Sequence, residues 1–309
     1  MFFVLLFMLA QDGKSLITTP LDHISGRIAA TSASDGHSLL FTNVRTSKGN
    51  PIPIYEFYVC QTPNYDFQMI NDGRINQKYN FAGRLGNQFV LYAVMSNDLC
   101  VLDENFLFQS SSLAIDYLNL DNELNAKMVY ISPYLEGKSL VTLRSGSQFH
   151  VGIFSDHKTQ VVGSYQSPND YQSITWVSVQ GEVFMIMGEQ DEIYRCNKSF
   201  QPETRIYKGQ GPAEKNYSPD MRKIMLARGA SPFKSKINGP IVSSDHFSAL
   251  AINDLDGQGE PLKKVERRFL YVDTRGVRYS PKMQRAVGRV GDRQLIFDND
   301  DGIFFWATE

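Results

Sequence analysis

The amino-acid sequence predicts an all-β fold, a six-bladed β-propeller of four-stranded antiparallel blades closed by pairing of its N- and C-terminal strands. Three observations predict it. Apolar strand cores centred on Leu40, Val90, Leu140, Phe184, Ala249 and Ile296 recur about every 50 residues, with one longer step between the fourth and the fifth. Each core is followed by a partner strand, at residues 54–60, 99–103, 148–154, 192–196, 268–273 and 302–306. Turn residues separate the runs: a Ser-Asp-Gly tip at 34–36, Gly-Asn at 86–87, Glu-Gly at 136–137 and Ser-Gly at 145–146. A small sheet of this size buries its faces only against neighbouring sheets, so a ring of such units is the stable arrangement.

Taken in order, the chain opens on the apolar run Phe2-Phe-Val-Leu-Leu-Phe-Met-Leu9. This run is too short to span a bilayer as a helix, which needs about 20 apolar residues. Its length suits the apolar core of an export signal, which places the protein in the periplasm or outside the cell. The missing basic flank suits a buried strand and leaves a cytoplasmic location open. Residues 1–10 therefore stand apart as a signal segment or strand, and 11–309 read as one propeller domain. Residues 15–19 form a strand with no partner in the unit that follows, and the last unit is one strand short, so the two ends are expected to pair and hide an edge. The first unit takes its strands at 27–32, 38–44, 54–60 and 66–70, with a polar loop through Lys48-Gly-Asn-Pro51. The second takes 79–85, 89–94, 99–103 and 107–113, the third 128–132, 139–143, 148–154 and 160–164, and the fourth 173–177, 182–187, 192–196 and 204–207. An insertion over about 209–235 follows. There Ser218-Pro-Asp-Met221 reads as a helix start, with Ser as N-cap, Pro at the first helical position and Asp in the first turn. The fifth unit resumes with strands at 240–243, 247–253, 268–273 and 277–279, broken by a long excursion at 254–267. The sixth has 285–290, 294–297 and 302–306.

Composition supports a large core, with 42% hydrophobic residues, 20 Phe and 15 Tyr among 309 residues. The net charge of -2 gives no overall field that would gather nucleic acid, so no nucleic-acid partner is expected, nor any integral membrane segment. A monomer is expected. Cys60, Cys100 and Cys196 sit in apolar strand contexts without paired spacing; free buried thiols, one disulfide and a metal site are the alternatives, and packing is favoured over bonding.

The stretch Gly209-Gln-Gly-Pro-Ala-Glu214, followed by Ser218-Pro219, resembles the Gly-x-Gly-Pro-x-Glu…Pro connector of NHL-type repeats and the connectors of six-bladed TolB-like propellers. Leu270-Tyr-Val-Asp-Thr-Arg-Gly-Val-Arg278 and Leu99-Cys-Val-Leu-Asp-Glu-Asn105 are similar to a strand of the same repeat. The resemblance implies the propeller fold. It carries over no catalytic residue, because propellers of this type bind proteins, glycans or small molecules and only some are enzymes.

No G-x-S-x-G, H-E-x-x-H, phosphate-loop or dinucleotide pattern occurs. The acidic stretches 253–257 and 298–302 invite a divalent-cation reading, but an EF-hand needs Glu at its twelfth position and Gly at its sixth. Val265 and Ile303 occupy those places, and no cofactor is required by the sequence. Acid–histidine neighbours at Asp22-His23, Asp35-Gly-His37, Asp156-His157 and Asp245-His246 read as turn chemistry first and as a metal or catalytic ring second. His37, His157 and His246 fall in turns that project from one face. The opposite face collects the inter-unit connections and the excursions 45–53 and 254–267. There Tyr217, Lys263, Lys264, Arg267 and Arg268 form a candidate partner-binding patch of aromatic and basic residues. The expected function is a non-enzymatic binding module for a protein or glycan ligand. The alternative is a propeller hydrolase or lyase with a metal or carboxylate site at the central channel.

Overall fold

Leu40, Val90, Leu140, Phe184 and Ala249 are completely buried, and each lies in the second strand of its own sheet. The computed structural model describes residues 14–15, 32–47, 50–75, 77–120, 124–167, 173–209, 220–221, 224, 235–243, 247–254, 268–279, 284–298 and 303–308. In chain order, β1 (Lys14–Ser15) stands alone before β2 (Ser32–Ser34), β3 (Ser38–Ser47), β4 (Asn50–Gln61) and β5 (Phe67–Met69). Next come β6 (Phe81–Leu85), β7 (Gln88–Ala93), β8 (Asp98–Leu102) and β9 (Phe108–Leu113), then a one-turn helix α1 (Ala114–Tyr117). β10 (Lys127–Pro133), β11 (Ser139–Ser145), β12 (Gln148–Ser155) and β13 (Lys158–Gln166) follow, then β14 (Ile174–Val179), β15 (Glu182–Met187), β16 (Glu192–Cys196) and β17 (Pro202–Lys208). The chain continues with β18 (Ser235–Ser243), β19 (Ser248–Asp254), β20 (Arg268–Asp273) and β21 (Gly276–Tyr279), and finishes with β22 (Gln284–Val290), β23 (Arg293–Asp298) and β24 (Ile303–Thr308).

Among the described residues these strands make six four-stranded antiparallel sheets, the last with the order β1-β24-β23-β22. The innermost strands touch in sequence: β2 meets β6 and β22, β10 meets β6 and β14, and β18 meets β14 and β22. The architecture is an all-β propeller with four-stranded antiparallel blades.

Packing between blades explains why the second strands read as unbroken apolar runs. A strand buried on both faces has no polar side to show. Leu39 packs with Val287 and Leu295 of the last blade, whereas its neighbour Leu40 packs with Leu91 and Cys100 of the next. Val90 packs with Val141 and Phe154, and Leu140 packs with Trp176 and Met185. Val177 and Phe184 meet Leu250 and Leu270, and Ala249 meets Ala286. Each of the buried Val, Leu, Phe and Met side chains among these contributes about 1.5–3 kcal/mol on burial, and the alanines contribute less.

The two ends pair as expected, with Lys14 opposite Ala307 and Ser15 opposite Trp306. The strand at the N-terminal end comprises Lys14 and Ser15, and residues 16–31 lie outside the described residues. The excursion expected at 45–53 is instead a hairpin. The β3–β4 ladder continues through Arg45 opposite Ile54 to Ser47 opposite Asn50. Pro51 and Pro53 are tolerated there because β5 pairs only with Tyr58, Val59 and Cys60, leaving that part of β4 an edge that needs no N–H donor. Of the first inner strand, expected at 27–32, residues 27–31 lie outside the described residues; β2 extends through Ser34, which was read as part of the turn, so the turn is Asp35–His37. Helix α1 and a 3-10 turn at Leu135–Gly137 were not anticipated, since both are shorter than any periodicity can reveal. Asp220, Met221 and Ile224 are helical, in line with the helix start read at Ser218; Ser218 and Pro219 lie outside the described residues. No helix among the described residues is long and apolar enough to cross a membrane.

Cys60, Cys100 and Cys196 are free and occupy the third strands β4, β8 and β16. Burial pushes their thiols up from 9.0, to about 12 for Cys60 and Cys196 and about 11 for Cys100. Two measurements follow from these features. A disulfide-exchange reagent at pH 8 should leave the native thiols essentially unmodified and titrate all three after guanidinium unfolding. Between pH 9.0 and about 11–12 the unfolded chain binds fewer protons than the folded one, so the thiols' contribution to stability is complete below 9.0 and is lost as pH rises through that window. Separately, deleting residues 1–20 exposes the β24 edge and should lower the melting temperature; an unchanged melting curve would show that the terminal pairing contributes nothing.

Candidate functional site

Antiparallel order puts the turns between first and second strands, and between third and fourth strands, on one face of the propeller. Three cavities formed by described residues lie on this face. One of about 510 Å³ sits between the Asp35–Ser38 turn, the Asn87–Phe89 corner and the Asp103–Phe106 turn. A second, of about 420 Å³, shares Asn87 and Gln88 with it and runs to Glu136, Lys138 and His157. The third, of about 970 Å³, shares Glu136, Lys138, Ser155 and Asp156 with the second. The three adjoin along the turns of the β2–β5, β6–β9 and β10–β13 blades, the first two with a mainly polar lining and the third with a mixed one in which Tyr134, Leu135 and Ile153 take part.

Local sequence builds the walls. Asp35 Oδ1 accepts from the N–H groups of His37 and Ser38 at 2.8 and 2.7 Å. Asp103 Oδ1 accepts from Asn105 and Leu107 at 2.9 and 2.8 Å. Side-chain oxygens that take over backbone donors in this way fix a turn without a helix or ladder. The Asp103 turn is repeated at Asn197, whose Oδ1 accepts from Ser199 and Gln201. In both turns the fourth residue is a buried phenylalanine with positive φ, Phe106 and Phe200. Asp and His tolerate the left-handed region better than most residues, and Asp156 and His157 occupy it in succession at φ 50° and 57°. Their hairpin reverses in two residues between β12 and β13, with His157 edge-on to Tyr117 and Phe154.

The turn tips also brace one another. Arg84 donates to Ser34 O and to Asn87 Oδ1, both at 3.2 Å, linking the first two blades beneath the groove. Ser139 Oγ donates to Arg84 O and accepts from Gly86 N, at 2.8 and 3.0 Å. A Cβ at Gly137 would stand 3.2 Å from Asn87 Oδ1, and its φ of 72° also calls for glycine. Tyr117 OH donates to Gln88 Oε1 at the saddle between the first two cavities.

The sequence-derived site residues fall differently. Tyr217, Lys263, Lys264 and Arg267 lie outside the described residues, and Arg268 begins β20 opposite Ile252. His37 and His157 do project from the same face, while His23 and His246 lie outside the described residues. No group of three His, Cys, Asp or Glu among the described residues is placed to hold a metal ion. Asn87 and Glu136 were read from sequence only as turn residues, and Gln88 and Lys138 were not singled out, although the repeated Asp/Asn-x-x-Phe pattern at 103–106 and 197–200 was there to be found.

No protein-family model and no curated protein sequence matches the chain. Solved structures similar to it include a streptogramin B lyase, at 12% identity, covering 96% of this chain and 86% of that one with a TM-score of 0.43. A calcium-binding protein, regucalcin, from Agrobacterium tumefaciens shows 10% identity, coverage of 92% and 91%, and a TM-score of 0.47. The Pan2 WD40 domain of Neurospora crassa shows 9% identity, coverage of 94% and 91%, and a TM-score of 0.44. At such identities and scores the likenesses carry no functional argument, and the fold is read from the sheets themselves.

The Tyr117–Gln88 bond is open to a direct test. Tyr117→Phe keeps the ring stacked on Phe154 but releases Gln88, and should lower stability by about 1 kcal/mol in denaturant titrations. No change in midpoint would show that the saddle is not held by this bond.

Proposed function

We propose that the chain is a six-bladed propeller of NHL or TolB-like type, working as a non-enzymatic binding module that presents one face to a protein or glycan ligand. The observation that supports this reading is the row of adjoining cavities across three blades, lined by polar and apolar side chains on braced turns. Such a surface suits an extended polar ligand, because turns already held by Asx bonds and inter-blade contacts lose little further entropy on binding. The scaffold is rigid and its turns carry the chemistry, which is the usual division of labour. The apolar run Phe2–Leu9 supports export, and a terminus beginning after that run in protein from the native host is the expected finding by mass spectrometry.

The test uses the full chain against an immobilised glycan panel and a peptide library. Asn87 is exposed at the junction of two cavities, so Asn87→Trp fills the groove without touching the core. It should weaken ligand capture at least about tenfold, equivalent to about 1.4 kcal/mol. The double substitution Tyr217→Ala/Arg267→Ala, at residues that the sequence reading assigns to the opposite face, should leave capture of the groove ligand in place. The reverse pattern would move the site to that face. A recovered ligand whose mass shows cleavage or elimination would instead support the hydrolase or lyase reading.

A further inference from the structure

We infer that Tyr207 and Tyr279 are a site of oxidative coupling, where a one-electron oxidant joins the two phenol rings and so staples the outer strands of adjoining blades. The inference goes beyond the binding-module reading and does not depend on it. Tyr207 lies in β17 and Tyr279 ends β21, the outermost strands of the β14–β17 and β18–β21 blades. The two strands meet at the seam, where Tyr207 and Val277 pack on the apolar cluster shared by both blades. The phenol oxygens are 3.4 Å apart, whereas the ring centroids stand 6.4 Å apart with the planes at 73°. The hydroxyl-bearing edges of the rings therefore converge. The carbons ortho to each hydroxyl belong to those edges, and they are the carbons at which phenoxyl radicals couple.

The pair is also open to an oxidant. Tyr279 is 50% exposed and Tyr207 half-buried. An oxygen–oxygen distance of 3.4 Å is longer than an ordinary hydroxyl hydrogen bond, so the contact is a weak brace as it stands. The other ring pairs between described residues contain at most one tyrosine each. Thiols do not take this place, for Cys60, Cys100 and Cys196 are free and the first two are buried. In the coupling each ring gives up one electron and its phenolic proton. The two radicals then form one carbon–carbon bond between ortho carbons, and the hydrogens on those carbons move to the oxygens. The product keeps both hydroxyls and has lost two hydrogen atoms in all. With a haem peroxidase as oxidant, one hydrogen peroxide accepts the two electrons and two protons and leaves as two waters. The partners are 72 residues apart in sequence, so the new bond closes a long loop and restricts the unfolded chain.

Treating the full chain with a haem peroxidase and hydrogen peroxide, at a dilution that suppresses coupling between molecules, tests the assignment. Dityrosine fluorescence is expected in a product that runs as a monomer on a denaturing gel. Its proteolytic map should join the peptide bearing Tyr207 to the peptide bearing Tyr279, lighter than their sum by two hydrogens. The coupled monomer should melt at a higher temperature than the untreated chain. Tyr207→Phe and Tyr279→Phe keep the rings in place, and each should abolish this cross-link and the rise in melting temperature. The treated variants thereby separate coupling from oxidation of exposed groups such as Met95. No dityrosine in the monomer, a cross-link that joins other tyrosines instead, or a coupled monomer that melts no higher than the untreated chain would overturn the inference.

Discussion

The inner strand of every blade has one edge without a strand beside it, and the rest of the structure depends on how that edge is satisfied. Backbone N–H and C=O groups facing inward cannot be left unpaired in a packed ring. At β22 and β14, hydroxyls from the neighbouring blade supply partners. Ser32 and Ser34 donate from β2 to Val287 O and Arg289 O of β22. Ser132 and Thr142 accept from Ser178 N and Trp176 N of β14, at 3.0 and 3.1 Å. Each such bond contributes about 1 kcal/mol net, but its absence would strand a buried backbone group at greater cost. Small hydroxyl residues at these positions are therefore structural, and they hold adjacent blades at a fixed spacing.

That spacing produces the groove. Apolar clusters pin the blades along their faces, and the hydroxyl bonds pin them at the centre, so the turn tips at the rim have little freedom left. They touch in turn: Gly291 N donates to Gly36 O at 2.7 Å, Gly137 approaches Asn87, and Leu135 crowds Gly181. The three cavities described above lie where the tips of two blades diverge above their packed strands. The polar lining is then a consequence of turn chemistry, because Asp, Asn, Glu and His are the side chains these reversals select.

Most of the architecture was legible in the sequence because second strands buried on both faces print themselves as apolar runs at a fixed interval. Leu40, Val90, Leu140 and Phe184 fell in the expected strands for that reason. The hairpin at 45–53 was misread as a loop, since Pro51 and Pro53 signal a break unless the strand is known to be an edge. Helix α1 was missed because one turn, set by the Ala114 N–H to Asn97 O bond and the packing of Leu118, has no periodicity. The groove was the least legible feature. Asn87 and Gln88 come within reach of Glu136, Lys138 and Ser155 only through blade-to-blade packing, and nothing in a linear pattern specifies which tips converge.

Two polar groups in the β10–β13 blade are buried without a hydrogen-bond partner. His150 Nε2 has no hydrogen-bond partner, and burial lowers the imidazole's affinity for a proton, so the ring stays neutral inside the blade. A neutral buried ring tolerates an unused acceptor because it carries no charge to desolvate. Thr159 Oγ1 is likewise buried without a hydrogen-bond partner, although the residue borders the cavity beside the β12–β13 hairpin. A scaffold built for stability alone would carry valine there, with the same shape and no polar atom to leave unpaired.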